Sequence, residues 1–149
     1  MRTDKIVCAG FGGQGVMSMG RLIAYTGMLN GKEVSWLPSY GPEMRGGTAN
    51  CHVIVSEHAI GSPIIAQDAT AVIVMNLPSL RKFESELAPQ GILVSNASLI
   101  SAEPTRTDIT VIPIEANKVA LELGADRSAN MVMLGAYLAA SGLFTVDQT

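Results

Sequence analysis

Ile6-Val7-Cys8-Ala9-Gly10-Phe11-Gly12-Gly13-Gln14-Gly15-Val16 joins an apolar run of strand length to a glycine-rich turn and the first residue of a helical pattern. Asp4–Gly10 reads as a strand bounded by glycine. Beyond Gly15, the residues Val16, Met19, Leu22, Ile23 and Met28 recur at helical spacing to about Leu29, where Asn30-Gly31 supplies a left-handed stop. A strand, a tight glycine turn and a helix in that order put backbone amides at a helix N-terminus, where the helix dipole favours an anion. Glycines needed only to pack helix against strand are the structural alternative.

The remaining apolar runs repeat this alternation. Glu33–Leu37 reads as a short second strand, 38–48 as a loop, and Thr48–Ser56 as a third strand. Ile60–Ala66 reads as a short extension or hairpin partner. Ala71–Met75 is a continuous apolar run, which suits a strand buried on both faces of a parallel sheet. A helix opens at Asn76-Leu77-Pro78-Ser79 and runs to about Leu87, Pro89-Gln90-Gly91 turns the chain, and Ile92–Ser95 and Thr110–Ile114 are further strands. Ser101–Asp108 reads as a surface loop, Glu115–Leu123 as a helix stopped by Gly124, and Asn130–Phe144 as an apolar helix capped by Asp126 or Ser128. Strands and helices alternating at this spacing predict one α/β domain over 1–149, a three-layer α/β/α arrangement on a largely parallel sheet. The last residues read as the start of another helix, so a tail beyond Thr149 is expected.

Hydrophobic residues make up 48% of the chain and charged residues 15%, with a net charge of −3. Lys and Arg are scattered, so nucleic-acid binding by phosphate neutralisation is not expected. No apolar run reaches membrane-spanning length, and two cysteines without a secretion signal point to the cytoplasm. The sparse charge points to subunit contacts, or to buried parallel strands; the isolated chain is expected to pair with itself.

Gly10-x-Gly12-x-x-Gly15 also fits a dinucleotide fingerprint, which makes a free-standing NAD- or flavin-binding oxidoreductase the alternative reading. NAD binding asks for an acidic residue at the end of the second strand. Here that end reads Trp36-Leu37-Pro38, and Glu33 stands at the strand's start. A phosphate-binding P-loop is excluded because no Lys-Ser or Lys-Thr follows the last glycine.

The loop Pro38-Ser39-Tyr40-Gly41-Pro42-Glu43-Met44-Arg45-Gly46-Gly47-Thr48 is more specific than the fingerprint. With Gly10–Val16, Asn96 and Ser128-Ala129-Asn130-Met131, it resembles the gamma subunit of 2-oxoacid:ferredoxin oxidoreductases over almost the whole chain, most like the 2-oxoglutarate (KorC-type) members. That resemblance implies a fold like the gamma domain of pyruvate:ferredoxin oxidoreductase. It implies oxidative decarboxylation of a 2-oxoacid to an acyl-CoA with reduction of ferredoxin, by a complex with alpha, beta and delta-type subunits. Thiamine diphosphate, magnesium and iron–sulfur clusters would lie on those partners, and this chain alone would be inactive. It would form part of the coenzyme A site: Gly12, Gly13, Gln14, Gly15 and Val16 through backbone amides, Arg45 through a phosphate, Asn96 and Asn130 through polar contacts at the ligand edge. Turn and capping roles are the alternative for both asparagines, and a solvated or intersubunit side chain is the alternative for Arg45. Related pyruvate enzymes carry lysines where this chain has Glu43-Met44, which leaves the phosphate partner open.

Cys8 and Cys51 read as buried small hydrophobes, His52 and His58 lack metal-ligand spacing, and Glu84 and Glu86 read as a solvated helix face.

Overall fold

A computed structural model describes residues 3–11, 15–40, 48–62, 65, 67–100, 104, 106–125 and 128–143. Six strands, β1 (Thr3–Phe11), β2 (Glu33–Tyr40), β3 (Thr48–Ser56), β4 (Ala69–Val74), β5 (Leu87–Asn96) and β6 (Thr110–Ile114), form one sheet in the order β2-β3-β1-β4-β5-β6. β1, β4, β5 and β6 pair in parallel, while β3 runs antiparallel to both β1 and β2. All strands but β3 therefore point the same way, as the largely parallel expectation requires.

The apolar runs of β1 and β4 are buried on both faces because helices cover both. Ile6, Cys8, Val53, Val55, Ile73 and Val94 face helices α1 (Val16–Leu29), α3 (Ala116–Glu122) and α4 (Ala129–Ser141). Val7, Ala9, Ile54, Val72, Val74 and Leu93 face helix α2 (Leu77–Phe83) and Ile65. Alternating residues of one strand thus feed two separate cores.

Several boundaries differ from the sequence reading. β2 continues through Pro38 to Tyr40, which an edge strand permits because a proline there forfeits no internal ladder bond. Its partner β3 pairs antiparallel with it and lies beside β1. α2 ends at Phe83 and tightens into a 3-10 turn over Glu84–Glu86, after which β5 begins at Leu87. The turn expected at Pro89-Gln90-Gly91 survives as an irregularity inside β5. Register jumps from Ala69↔Leu87 to Ala71↔Ile92, and Gln90 takes a left-handed φ of 66° and donates its N–H to the Asp108 carbonyl at 2.7 Å. Among the described residues of 60–66 there is no strand.

Glu84 corrects the solvated-face expectation. It is buried, and its carboxylate accepts the Arg106 backbone N–H at 3.0 Å, while the Arg106 guanidinium donates to the Glu84 and Leu87 carbonyls. This ties the far end of the 101–108 loop to the end of α2.

Candidate functional site

Four helices start at the edge where the parallel strands end, but they start in two different ways. β4 runs into Asn76, whose side-chain Oδ1 accepts the Ser79 N–H at 2.9 Å and caps α2. β5 ends at Asn96, which is fully buried; its Oδ1 accepts the Ser98 N–H at 3.2 Å and the Ala116 N–H at 3.3 Å, the latter at the start of α3. The Asn96 Nδ2 donates to Asn117 Oδ1 at 2.8 Å. The two short helices are therefore closed by asparagines at the strand ends.

The two long helices begin without side-chain caps. α1 follows Gly15, which adopts a left-handed φ of 76°, and α4 follows Ser128; neither cap residue makes a side-chain hydrogen bond, and neither first turn contains an acidic residue. Ser128 is thus the cap by position only, and Asp126 lies outside the described residues. The two ends meet. Asn130, in the first turn of α4, donates its Nδ2 to the Gly15 carbonyl at 3.2 Å. A Cβ built on Gly15 would stand 2.3 Å from that Nδ2, so only glycine admits this approach. Each helix N-terminus carries about half a positive elementary charge, and side by side they define a small anion-favouring corner at the end of β1.

Behind this corner lie the cysteines. Cys8 and Cys51 stand directly opposite each other on β1 and β3, and both are fully buried. The Cys51 thiol donates to the Val16 carbonyl at 3.7 Å, and Gly20 lies so close that a Cβ there would be 2.3 Å from the sulfur. The adjacent Cys51 sulfur, together with burial, pushes the Cys8 thiol above its ordinary range. Both behave as packing residues that seat α1 against the sheet.

The dinucleotide alternative loses its geometry here. The strand beside β1 is β3, not β2, and Glu33 opens β2 at the opposite edge, paired with Ser56 and exposed.

The profile of the family "Pyruvate ferredoxin/flavodoxin oxidoreductase" matches residues 5–149. The chain belongs to that family. The ketoisovalerate oxidoreductase subunit VorA of Methanothermobacter thermautotrophicus is 37% identical over 144 residues, 97% of this chain and 29% of the relative. The 2-oxoglutarate synthase subunit KorC of Archaeoglobus fulgidus is 32% identical over 148 residues, 95% of this chain and 73% of the relative. The chain thus spans under a third of VorA and most of KorC. Relatives of both names match the chain, VorA at slightly higher identity than the KorC type that the sequence resemblance favours.

Among solved structures, a 2-oxoglutarate:ferredoxin oxidoreductase from Magnetococcus marinus, determined with 2-oxoglutarate, coenzyme A and succinyl-CoA bound, matches with a TM-score of 0.82 at 26% identity over 93% of this chain and 24% of that chain. A keto/oxoacid ferredoxin oxidoreductase gamma subunit from Geobacter sulfurreducens matches in fold with a TM-score of 0.87 at 24% identity over 99% of this chain and 81% of that one.

In this family member, the structure gathers Gly15, Val16 and Asn130 at one corner and places Asn96 nearer α3. Gly12, Gly13, Gln14 and Arg45 lie outside the described residues. The side chains of Asn96 and Asn130 are engaged by the protein itself, in capping and in holding Gly15. Asn76 was read as opening the helix but not as its cap, and Asn117 was not singled out by the sequence reading. The signal for Asn76 was present, an asparagine directly before a proline-containing first turn; the partnership of Asn117 with Asn96 left none.

Proposed function

We propose that this chain is the gamma component of a multi-subunit 2-oxoacid:ferredoxin oxidoreductase and that the corner between α1 and α4 forms part of its coenzyme A site. The observation that carries the reading is the convergence of two uncapped helix N-termini through Gly15 and Asn130. That corner has the chemistry an anionic cofactor requires: backbone N–H donors, a favourable dipole and no acidic residue in the first turn of either helix. Coenzyme A, when bound, supplies the thiol that accepts the acyl group. In this proposal the amides of the 12–16 turn hold its anionic part and Arg45 pairs with a phosphate. Asn130 acts one step back, fixing the Gly15 carbonyl and hence the turn. Asn96 shapes the same edge through its bonds to Ser98 and Ala116. Holding the thiol near its reaction partner replaces a bimolecular encounter with a local one.

The bond-making chemistry is assigned to partners of alpha, beta and delta type, which in this reading hold thiamine diphosphate, magnesium and iron–sulfur clusters and pass electrons to ferredoxin. No group of three or more His, Cys, Asp or Glu side chains placed to hold a metal ion occurs among the described residues. No helix among them is long and apolar enough to cross a membrane. Exposed Tyr25, Met28 and Leu29 on α1 and Leu121 and Leu123 at the end of α3 are apolar surface for those partners, or for a second copy when the chain is alone.

The substrate is a 2-oxoacid, with branched-chain acids favoured over 2-oxoglutarate by the higher identity to VorA. Tagging this chain in its native host, purifying it anaerobically and assaying coenzyme A-dependent dye reduction with 3-methyl-2-oxobutanoate, 2-oxoglutarate and pyruvate tests the reading. Larger subunits and turnover of one acid are expected. A chain that purifies alone and without activity refutes it.

A further inference from the structure

On the opposite face of the sheet, α2 leaves part of β2 and β3 uncovered. The gap is a cleft of about 390 Å³, within the usual range of small-molecule pockets. Two cross-strand pairs form its floor, Leu37 beside His52 and Ser39 beside Asn50, and Lys82, Phe83 and Glu86 form its wall.

Three features of the cleft ask for a ligand. Asn50 is only 7% exposed, yet among the described residues no hydrogen bond reaches its side-chain amide. Buried amides are normally paired, and one left open toward a cleft is a ready anchor. Lys82 and Glu86 lie on the same wall but form no ion pair among the described residues; the Lys82 ammonium rests 5.2 Å from the centre of the Phe83 ring. Burial raises the Glu86 carboxyl above its ordinary value, against the pull of Lys82, as expected of a desolvated acid short of a partner. His52 accepts the Ile65 N–H on Nδ1 at 3.4 Å, which leaves its ring proton on Nε2 as a further donor.

We propose that this cleft binds a small zwitterionic α-amino acid with an apolar side chain. Lys82 meets the carboxylate, Glu86 meets the ammonium, Asn50 serves both, and Leu37 and Phe83 accept the apolar tail. A cleft with one cation and one anion on its wall, and with Leu37 and Phe83 as its apolar surface, complements a ligand carrying both charges better than a ligand carrying either one. The site is separate from the α1–α4 corner and does not depend on the activity proposed for it.

Calorimetric titration of the full chain with L-leucine, 4-methylpentanoate and 3-methylbutylamine tests this directly. L-leucine is expected to bind roughly tenfold or more tightly than either half-ligand, the loss that accompanies one missing charged hydrogen bond. Lys82→Gln should weaken L-leucine and spare the amine, whereas Glu86→Gln should weaken L-leucine and spare the carboxylate. Lys82 is exposed and Glu86 half-buried, and thermal melts of both variants verify that they fold. No saturable heat with L-leucine, a half-ligand binding as well as the amino acid, or L-leucine affinity unchanged in both variants would each overturn the proposal. Because binding is read on the chain alone, an inactive or absent complex leaves this result unaffected.

Discussion

Asn130 donates its side-chain amide to the carbonyl of Gly15 at 3.2 Å, joining the first turn of the last described helix to the cap of the first. The contact fills the space that a side chain on residue 15 would need. Gly15 is therefore constrained twice, by its φ of 76° and by its neighbour.

Gly15→Ala should consequently be costly. The left-handed backbone alone costs an alanine about 1–2 kcal/mol, and displacing Asn130 adds to that. Gly31→Ala is the control, since Gly31 has a φ of 75° with nothing within 4 Å of a built Cβ. Urea titrations should show Gly15→Ala destabilised by at least ~1 kcal/mol more than Gly31→Ala, the scale of forcing atoms into a packed site. Adding Asn130→Ala should recover part of that difference. Equal losses at the two glycines would mean that the close approach carries no energy.

Gly20 offers a parallel test inside the core. A Cβ there would meet the Cys51 sulfur at 2.3 Å and Val53 Cγ2 at 3.1 Å. Gly20→Ala should lower stability by about 1–3 kcal/mol through overpacking. In the Gly20→Ala/Cys51→Ala pair, removing the sulfur should make the combined loss smaller than the sum of the single losses, as thermal melts of the four proteins would reveal.

Much of this was legible in the sequence, for physical reasons. Ala71–Met75 announced a strand buried on both faces because every residue is apolar, and the Gly10–Val16 stretch announced strand, turn and helix through its glycines. The direction of β3 was not legible. Its alternation is the same whichever way it runs, and only the tertiary register of Cys8 opposite Cys51 sets it between β1 and β2. Pro38 read as a loop residue because its edge position could not be known. Glu84 read as solvated because Arg106, the residue that satisfies it, lies on a distant loop. At the candidate site, the asparagines were found as residues at the ligand edge, but their bonding partners were not. Asn130 and Gly15 are separated by most of the chain, and no local pattern links them.

His52 gives the fold a pH dependence of known sign. Burial, and then Lys82, hold its pKa below the ordinary 6.5. Between the folded and the ordinary values the unfolded chain takes up a proton that the folded chain does not. The stability contribution is therefore complete above about pH 6.5 and declines as pH falls through that value toward the folded pKa. Denaturant titrations across this window should show stability falling with acidity, with a shallower fall in His52→Gln. An identical slope in the two proteins would contradict the assignment.

Asn76→Ala removes the cap of α2 while leaving the α1–α4 corner untouched. The expected cost is about 1 kcal/mol, read as a melting shift of about 2–4 °C for a chain of this size. No shift would mean that the 2.9 Å bond to Ser79 contributes nothing to stability.

The central claim is that the corner held by Asn130 belongs to a coenzyme A site. The most direct measurement is steady-state kinetics of the purified native complex with Asn130→Ala in this chain, varying coenzyme A and the 2-oxoacid in turn. The account predicts a raised KM for coenzyme A with the KM for the 2-oxoacid unchanged. An assembled, active complex with both values unchanged would contradict it.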